Sequence, residues 1–223
     1  MHNHQQKDAT QLTQTSERTL DRISRRQVDK FAERRDQLAE AALHTLSELG
    51  YARTSLREIA QNSEFSHGVL HYYFRDKVDL ITHCVKFYKA RCVTRYDDVV
   101  ANAQTPAELE AGFATAMAAT LREEGTMHRL WYDLRAQSMF EDSFSADVAE
   151  IDRSLENMIW RIVTRYAELN NATLAVPSKV MYAMFDGLFQ QALLAHLSGD
   201  ANAGEVLAGN VKTVLLQVVV PAR

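Results

Sequence analysis

The side chains best suited to chemistry lie in two short runs. The first is Thr54-Ser55-Leu56-Arg57-Glu58-Ile59-Ala60, and the second is Phe65-Ser66-His67-Gly68-Val69-Leu70-His71-Tyr72-Tyr73-Phe74-Arg75-Asp76-Lys77. Hydroxyls, imidazoles, phenols and an ammonium crowd together here without a nucleophile paired to a base, which is the chemistry of recognition rather than of bond breaking. Such groups serve base edges and phosphate oxygens when a short helix is pushed into the major groove of DNA. Helical spacing turns Ser66, His67, Val69 and His71 outward and Leu70 and Phe74 inward. Gly68 lets a backbone come close to a partner, and its cost of about 1 kcal/mol inside a helix asks for such a reason. Tyr72, Tyr73 and Lys77 fall where a helix ends and the next begins, within reach of phosphates. Thr54 and Ser55 open the first short helix, where free N–H groups favour an anion.

These runs need a scaffold, and the chain supplies helices for it. From about Arg26, Val28, Phe31, Leu38, Ala42, Leu46 and Leu49 recur at helical spacing, and Gly50 supplies a stop. Ser55-x-x-Glu58 forms a capping box, Ser66 caps the helix 67–74, and Asp76 caps a long helix running to about Asn102. Thr105-Pro106-x-Glu108 starts the next, and the remaining segments are about 106–123, 126–140, 145–170, 178–198 and 203–219. Nothing alternates with a period of two, so no strand is expected. The expectation is an all-α chain of about nine helices: a basic, disordered arm over 1–25, a helix-turn-helix unit over 26–75, and a larger helical body over 76–223.

Composition narrows the class. With 46% hydrophobic residues, 8 glycines and 3 prolines, the chain is expected to be compact and helical. No apolar run reaches a membrane span and the N-terminus has no signal-peptide core, so a cytoplasmic protein without membrane contact is expected. Cys84 and Cys92 share one helix and read as small buried hydrophobes. The net charge of −4 argues against binding nucleic acid through bulk charge, yet residues 17–35 carry seven basic groups against four acidic ones. That cluster is either a solvated arm or one that grips phosphates.

Competing chemistry is thin. His67 and His71 stand at i,i+4 and could hold a metal, but no third ligand is evident, so no metal or other cofactor is expected. There is no phosphate loop, no nucleophile elbow and no zinc-spaced His/Glu pair. An all-helical enzyme would require the helix-turn-helix pattern to be accidental.

Residues 27–80 resemble the DNA-binding domain of the TetR/AcrR family of bacterial transcriptional regulators. The resemblance is carried by Thr54-Ser55, Arg57-Glu58-Ile59-Ala60, Phe65-Ser66, Gly68-Val69-Leu70, Tyr72-Tyr73-Phe74 and Lys77-x-x-Leu80. Glu64 stands where the family's turn usually has Gly, which implies a different or strained turn, and His71 stands where Tyr is common. The resemblance implies a homodimer on a palindromic operator, most often a repressor released by an effector and alternatively an activator or an effector-independent repressor, with a small-molecule site in the C-terminal body. For that site the helices offer Tyr88, Phe113, Met117, Trp131, Arg135, Met139, Met158, Ile162 and Phe185, aromatic and thioether groups suited to a cavity. Arg135 meets either an anionic effector or a surface carboxylate, Asp133 or Glu141. Dimerisation through the last two long helices is also implied by the resemblance. Their wide apolar bands then point to Met184, Leu188, Gln191, Val211, Val214, Leu215 and Val218 as interface residues.

Overall fold

The computed structural model describes the backbone of residues 3–222 and the side chains of residues 26–222. The basic arm expected to be disordered over 1–25 is instead part of α1 in its backbone from Asn3 onward, and its side chains lie outside the described ones. Helix α1 (Asn3–Arg53) is followed by two short helices, α2 (Leu56–Gln61) and α3 (His67–Tyr73), and by α4 (Lys77–Cys92). The stop expected at Gly50 is a break in α1, with Gly50 at φ 75°, a left-handed value that glycine tolerates. Ser55, Ser66 and Asp76 each accept a hydrogen bond from the backbone N–H three residues on, as their helix-start pattern predicts.

The body consists of α5 (Asp97–Asn102), α6 (Pro106–Gln137), α7 (Ser145–Leu169), α8 (Ser178–Leu197) and α9 (Ala203–Gln217). Thr105 and Glu108 form the reciprocal capping box that opens α6. Beyond the start of α1, three features differ from expectation. The long helix after Asp76 breaks at Cys92, and Arg161 of α7 takes the Val93 carbonyl at 2.5 Å, supplying the partner that continued helix would have given. Conversely, the segments 106–123 and 126–140 are one helix, α6, distorted only at Glu124 (φ −128°). Gly125 does not break it; a Cβ there would come within 3.2 Å of His196, so the glycine lets α8 approach.

The third difference is a pair of short strands, β1 (Ala172–Leu174) and β2 (Val219–Pro221), which are antiparallel with Thr173 opposite Val220. Three residues are too few for an alternating pattern to be seen in sequence. The pair pins the C-terminal segment to the end of α7. One buried cluster runs from Leu38 in α1 to Val218 beyond α9, so the short helices and the body share a continuous core. Among the described residues, no helix is long and apolar enough to cross a membrane.

Candidate functional site

The short helix α3 is held by a few inward side chains. Leu70 is fully buried and Phe74 nearly so, and the Arg35 guanidinium lies 4.7 Å from the centre of the Phe74 ring. Arg35 also donates to Asp79 at 2.7 Å, and the Arg75 backbone N–H donates to the same carboxylate at 3.0 Å. Burial pushes the Asp79 carboxyl upward, but these donors outweigh it and hold it below its usual range. One carboxylate thus ties α1, the end of α3 and the start of α4 together.

His67, Gly68, His71 and Tyr72 remain on the outer face of α3, with Tyr72 73% exposed. The two imidazoles pack edge-on, their Nε2 atoms 3.1 Å apart, so one ring donates and the other accepts. A Cβ on Gly68 would meet nothing nearer than Ser66 Oγ at 4.0 Å, so the protein's own packing does not require glycine there. Ser55 and Ser66 are exposed while capping their helices.

Other candidates sit differently. Val69 and Tyr73 are half-buried, and Tyr73 stacks on Phe31 of α1 at 4.8 Å. Thr54 is buried, and its hydroxyl donates to the Gly50 carbonyl at 2.7 Å, closing the broken end of α1. Its hydroxyl is therefore turned away from any phosphate. Lys77 is half-buried with its ammonium 4.1 Å from the centre of the Tyr51 ring, and burial lowers its pKa against the pull of Glu141, Asp133 and Glu58. Glu64 carries no strain: among the described residues Asn171 alone has positive φ without being glycine. Arg53, Arg57 and Arg75 are exposed cations around the same short helices, where isolated arginines give no spacing signal in sequence.

The second feature is a cavity of about 60 Å³ in the body, lined by Lys89, Tyr96, Met117, His128, Trp131, Tyr132, Leu155, Met158, Ile159, Tyr182, Phe185, Asp186 and Phe189. Of the sequence candidates it brings together Met117, Trp131, Met158 and Phe185. Tyr88, Phe113 and Ile162 are buried behind the wall instead; Tyr88 donates to Glu124 and Phe113 packs on Phe185. Met139 is 75% exposed and does not line this cavity, because α6 ends at Gln137 and releases it. Arg135 is an ion pair, as one reading had it, but with Asp186 at 2.5 Å and Asp152 at 3.5 Å rather than with Asp133 or Glu141.

Polar groups that the sequence reading missed shape this cavity. Lys89 is buried, and no carboxylate pairs with it among the described residues; its ammonium lies 3.2 Å from His128 Nδ1. Burial pushes the Lys89 ammonium down to about 8, and burial together with Lys89 and Arg95 holds His128 well below its usual range. Both are single polar residues on apolar helix faces, where a satisfied core residue is the ordinary reading. Cys92, Glu124 and His128 are the one group of three metal-ligand types close together among the described residues. Arg95 already neutralises Glu124 at 2.5 Å and Lys89 adds a second cation, so the local charge opposes a metal ion.

The dimer candidates divide by helix face. Val211 and Leu215 are fully buried and Val218 is 2% exposed, packed within the subunit's own core, so they cannot form an interface. The apolar band on α9 is wide enough for two faces, and packing against α6 and α8 takes this one. Met184, Leu188 and Val214 are half-buried and Gln191 is exposed. Exposed apolar groups lie elsewhere on the pair: Val180 and Leu194 on α8, Val206 and Leu216 on α9.

Residues 38–84 match the family described as bacterial regulatory proteins, tetR family. The chain is 26% identical over 170 residues to the HTH-type transcriptional regulator PksA of Bacillus subtilis, covering 76% of this chain and 82% of that one. Its fold is similar to a TetR transcription regulator from Haloarcula marismortui, with a TM-score of 0.68 at 18% identity, over 84% of this chain and 99% of that one. It is also similar to FadR from Bacillus subtilis, solved with stearoyl-CoA, with a TM-score of 0.66 at 18% identity over 80% and 96% of the two chains.

Proposed function

We infer that this chain, a member of the tetR family of bacterial regulatory proteins by its DNA-binding domain, represses transcription as a dimer and is released by a small molecule. The observation that carries the reading is the outer face of α3, where two imidazoles, an exposed phenol and a glycine with open space above it form one surface. His67, His71 and Tyr72 are the groups to read bases or grip the adjacent backbone, with Val69 at the margin. Ser55, Ser66 and the exposed arginines reach phosphates. Two such helices, one per subunit, would enter successive major grooves about 34 Å apart on a palindromic operator in the bacterial cytoplasm. Pairing through the outer faces of α8 and α9, with Leu194, Val206 and Leu216 covered, would set that spacing.

The cavity is the effector site in this reading, and the FadR complex is an example of the fold accommodating a ligand. At about 60 Å³ it falls far short of the roughly 300–1,000 Å³ usual for ligand pockets, so an effector must widen it. Two of its walls lead to the DNA-binding unit. Helix α4, which carries Lys89, begins at Lys77, directly after α3. Helix α6, which carries His128 and Trp131, also holds the end of α1: Arg129 donates to the Ser47 carbonyl, and Asp133 accepts from the Tyr51 backbone N–H at 2.7 Å. A ligand that prefers the widened form shifts the pair of reading helices away from operator spacing.

Selection of sequences from a random duplex library by the purified protein tests this. A palindromic site bound by two chains, as seen in sedimentation, is expected; no enrichment over input would end the reading. In the same assay Lys77→Ala should lower affinity for all sequences alike and reduce the salt slope by about 1. An unchanged slope would mean that Lys77 only braces Tyr51.

A further inference from the structure

The cavity contains hydrogen-bond donors without acceptors. Lys89, with its charge on, donates to His128 Nδ1, and this places the ring proton on Nε2. His128 Nε2 is buried and has no partner, and the same is true of Trp131 Nε1. Every other polar group on the wall is occupied. Tyr96 is bonded to Thr120 at 3.3 Å, Tyr182 donates to Asp152 at 2.7 Å, and Asp186 accepts from Tyr132 at 3.0 Å and from Arg135 at 2.5 Å. Lys89, His128 and Trp131 thus bring three donor groups, one of them cationic, to the wall of a space otherwise lined largely by aromatic, aliphatic and thioether groups.

Leaving such donors unmatched costs stability, and more for a charge than for a neutral group. What matches them is an acceptor with more than one lone pair and a negative charge. A cation would be repelled, and its place over the Trp131 ring is already taken by the Lys89 ammonium at 5.3 Å. We propose that the cavity takes a small apolar carboxylic acid in its ionised form, its carboxylate held by Lys89, His128 Nε2 and Trp131 Nε1, an assignment resting on the reading of this cavity as the effector site. The apolar body then lies among Met117, Leu155, Met158, Ile159, Phe185 and Phe189. Because Lys89 is on α4 and the other two donors are on α6, the carboxylate bridges the two helices that reach the DNA-binding unit.

Calorimetric titration of the full chain with octanoate and benzoate, against octanamide and benzamide, tests the assignment. At least one acid should bind, and its amide should bind about tenfold more weakly or worse, the loss expected for a charge-assisted bond. Lys89→Met should reduce acid binding by a similar factor, leave the amide unchanged, and raise the melting temperature by removing an unpaired buried charge. Trp131→Phe, which keeps the ring and loses the N–H, should weaken acid binding several-fold even if the lysine variant folds poorly. Amides binding as well as acids, undiminished acid binding in Lys89→Met, or no binding of either acid at millimolar concentration would each overturn it. Running the selected operator duplex in parallel separates the two readings. Operator binding without acid binding removes this inference alone, while lysine-dependent acid binding without any DNA binding removes the regulatory reading and leaves the site.

Discussion

Gly68→Ala is expected to leave the protein as stable or more stable while weakening operator binding about tenfold or more. The two effects have opposite signs because the glycine serves a partner and not the fold. Within the protein an added Cβ meets only Ser66 Oγ at 4.0 Å, and alanine is the better helix former by up to about 1 kcal/mol. On the outer side, the methyl group would stand where a DNA backbone or base edge must come close, and losing a good contact there costs about 1–3 kcal/mol. Thermal melting and operator titration on the same sample check both halves. A variant that binds as tightly as the parent would show that DNA does not approach Gly68, and α3 would have to dock through His71 and Tyr72 alone.

Acid is expected to destabilise the protein steeply below about pH 6.5, and His128→Gln should flatten that loss. The native state keeps His128 neutral because burial first, then Lys89 and Arg95, oppose a further positive charge. The unfolded chain protonates it near its ordinary value of 6.5. Below that value the unfolded state binds a proton the native state refuses, so stability falls by up to about 1.4 kcal/mol per pH unit. Lys89 acts on the alkaline side with the same sign. Its ammonium titrates at about 8 in the folded protein against 10.5 in the open chain, so its burial penalty is complete below 8 and is relieved as pH rises toward 10.5. Urea denaturation from pH 5 to 10 should show both limbs in the parent. Equal acid slopes in the parent and His128→Gln would mean that His128 is not held neutral.

Both effects depend on contrasting kinds of residue. Gly68 stands out in sequence because the signal is local: a glycine inside a seven-residue helix already calls for an explanation. The caps at Ser55, Ser66, Asp76 and Thr105 were readable for the same reason, since each acts over three residues. Lys89 and His128 are 39 residues apart, and Tyr132 is 54 from Asp186, so no spacing rule links them. Arg135 shows the limit well: its type left an anionic effector or a surface carboxylate open, and the partners came from α7 and α8 rather than from its neighbours in sequence.

The sequence by itself determined the all-helical class, the ends of most helices and the short helix expected over 67–74, which ends one residue earlier at Tyr73, because capping, helical period and backbone freedom are properties of a few adjacent residues. Tertiary structure alone decided which way two-sided groups turn. It sent the Thr54 hydroxyl inward to Gly50, buried Val211, Leu215 and Val218 in the subunit, released Met139 to solvent, and brought Lys89, His128 and Trp131 to the wall of one cavity. The physical reason is that a helix with apolar residues on more than one side has no intrinsic inner face. Its neighbours choose that face, and they come from distant parts of the chain.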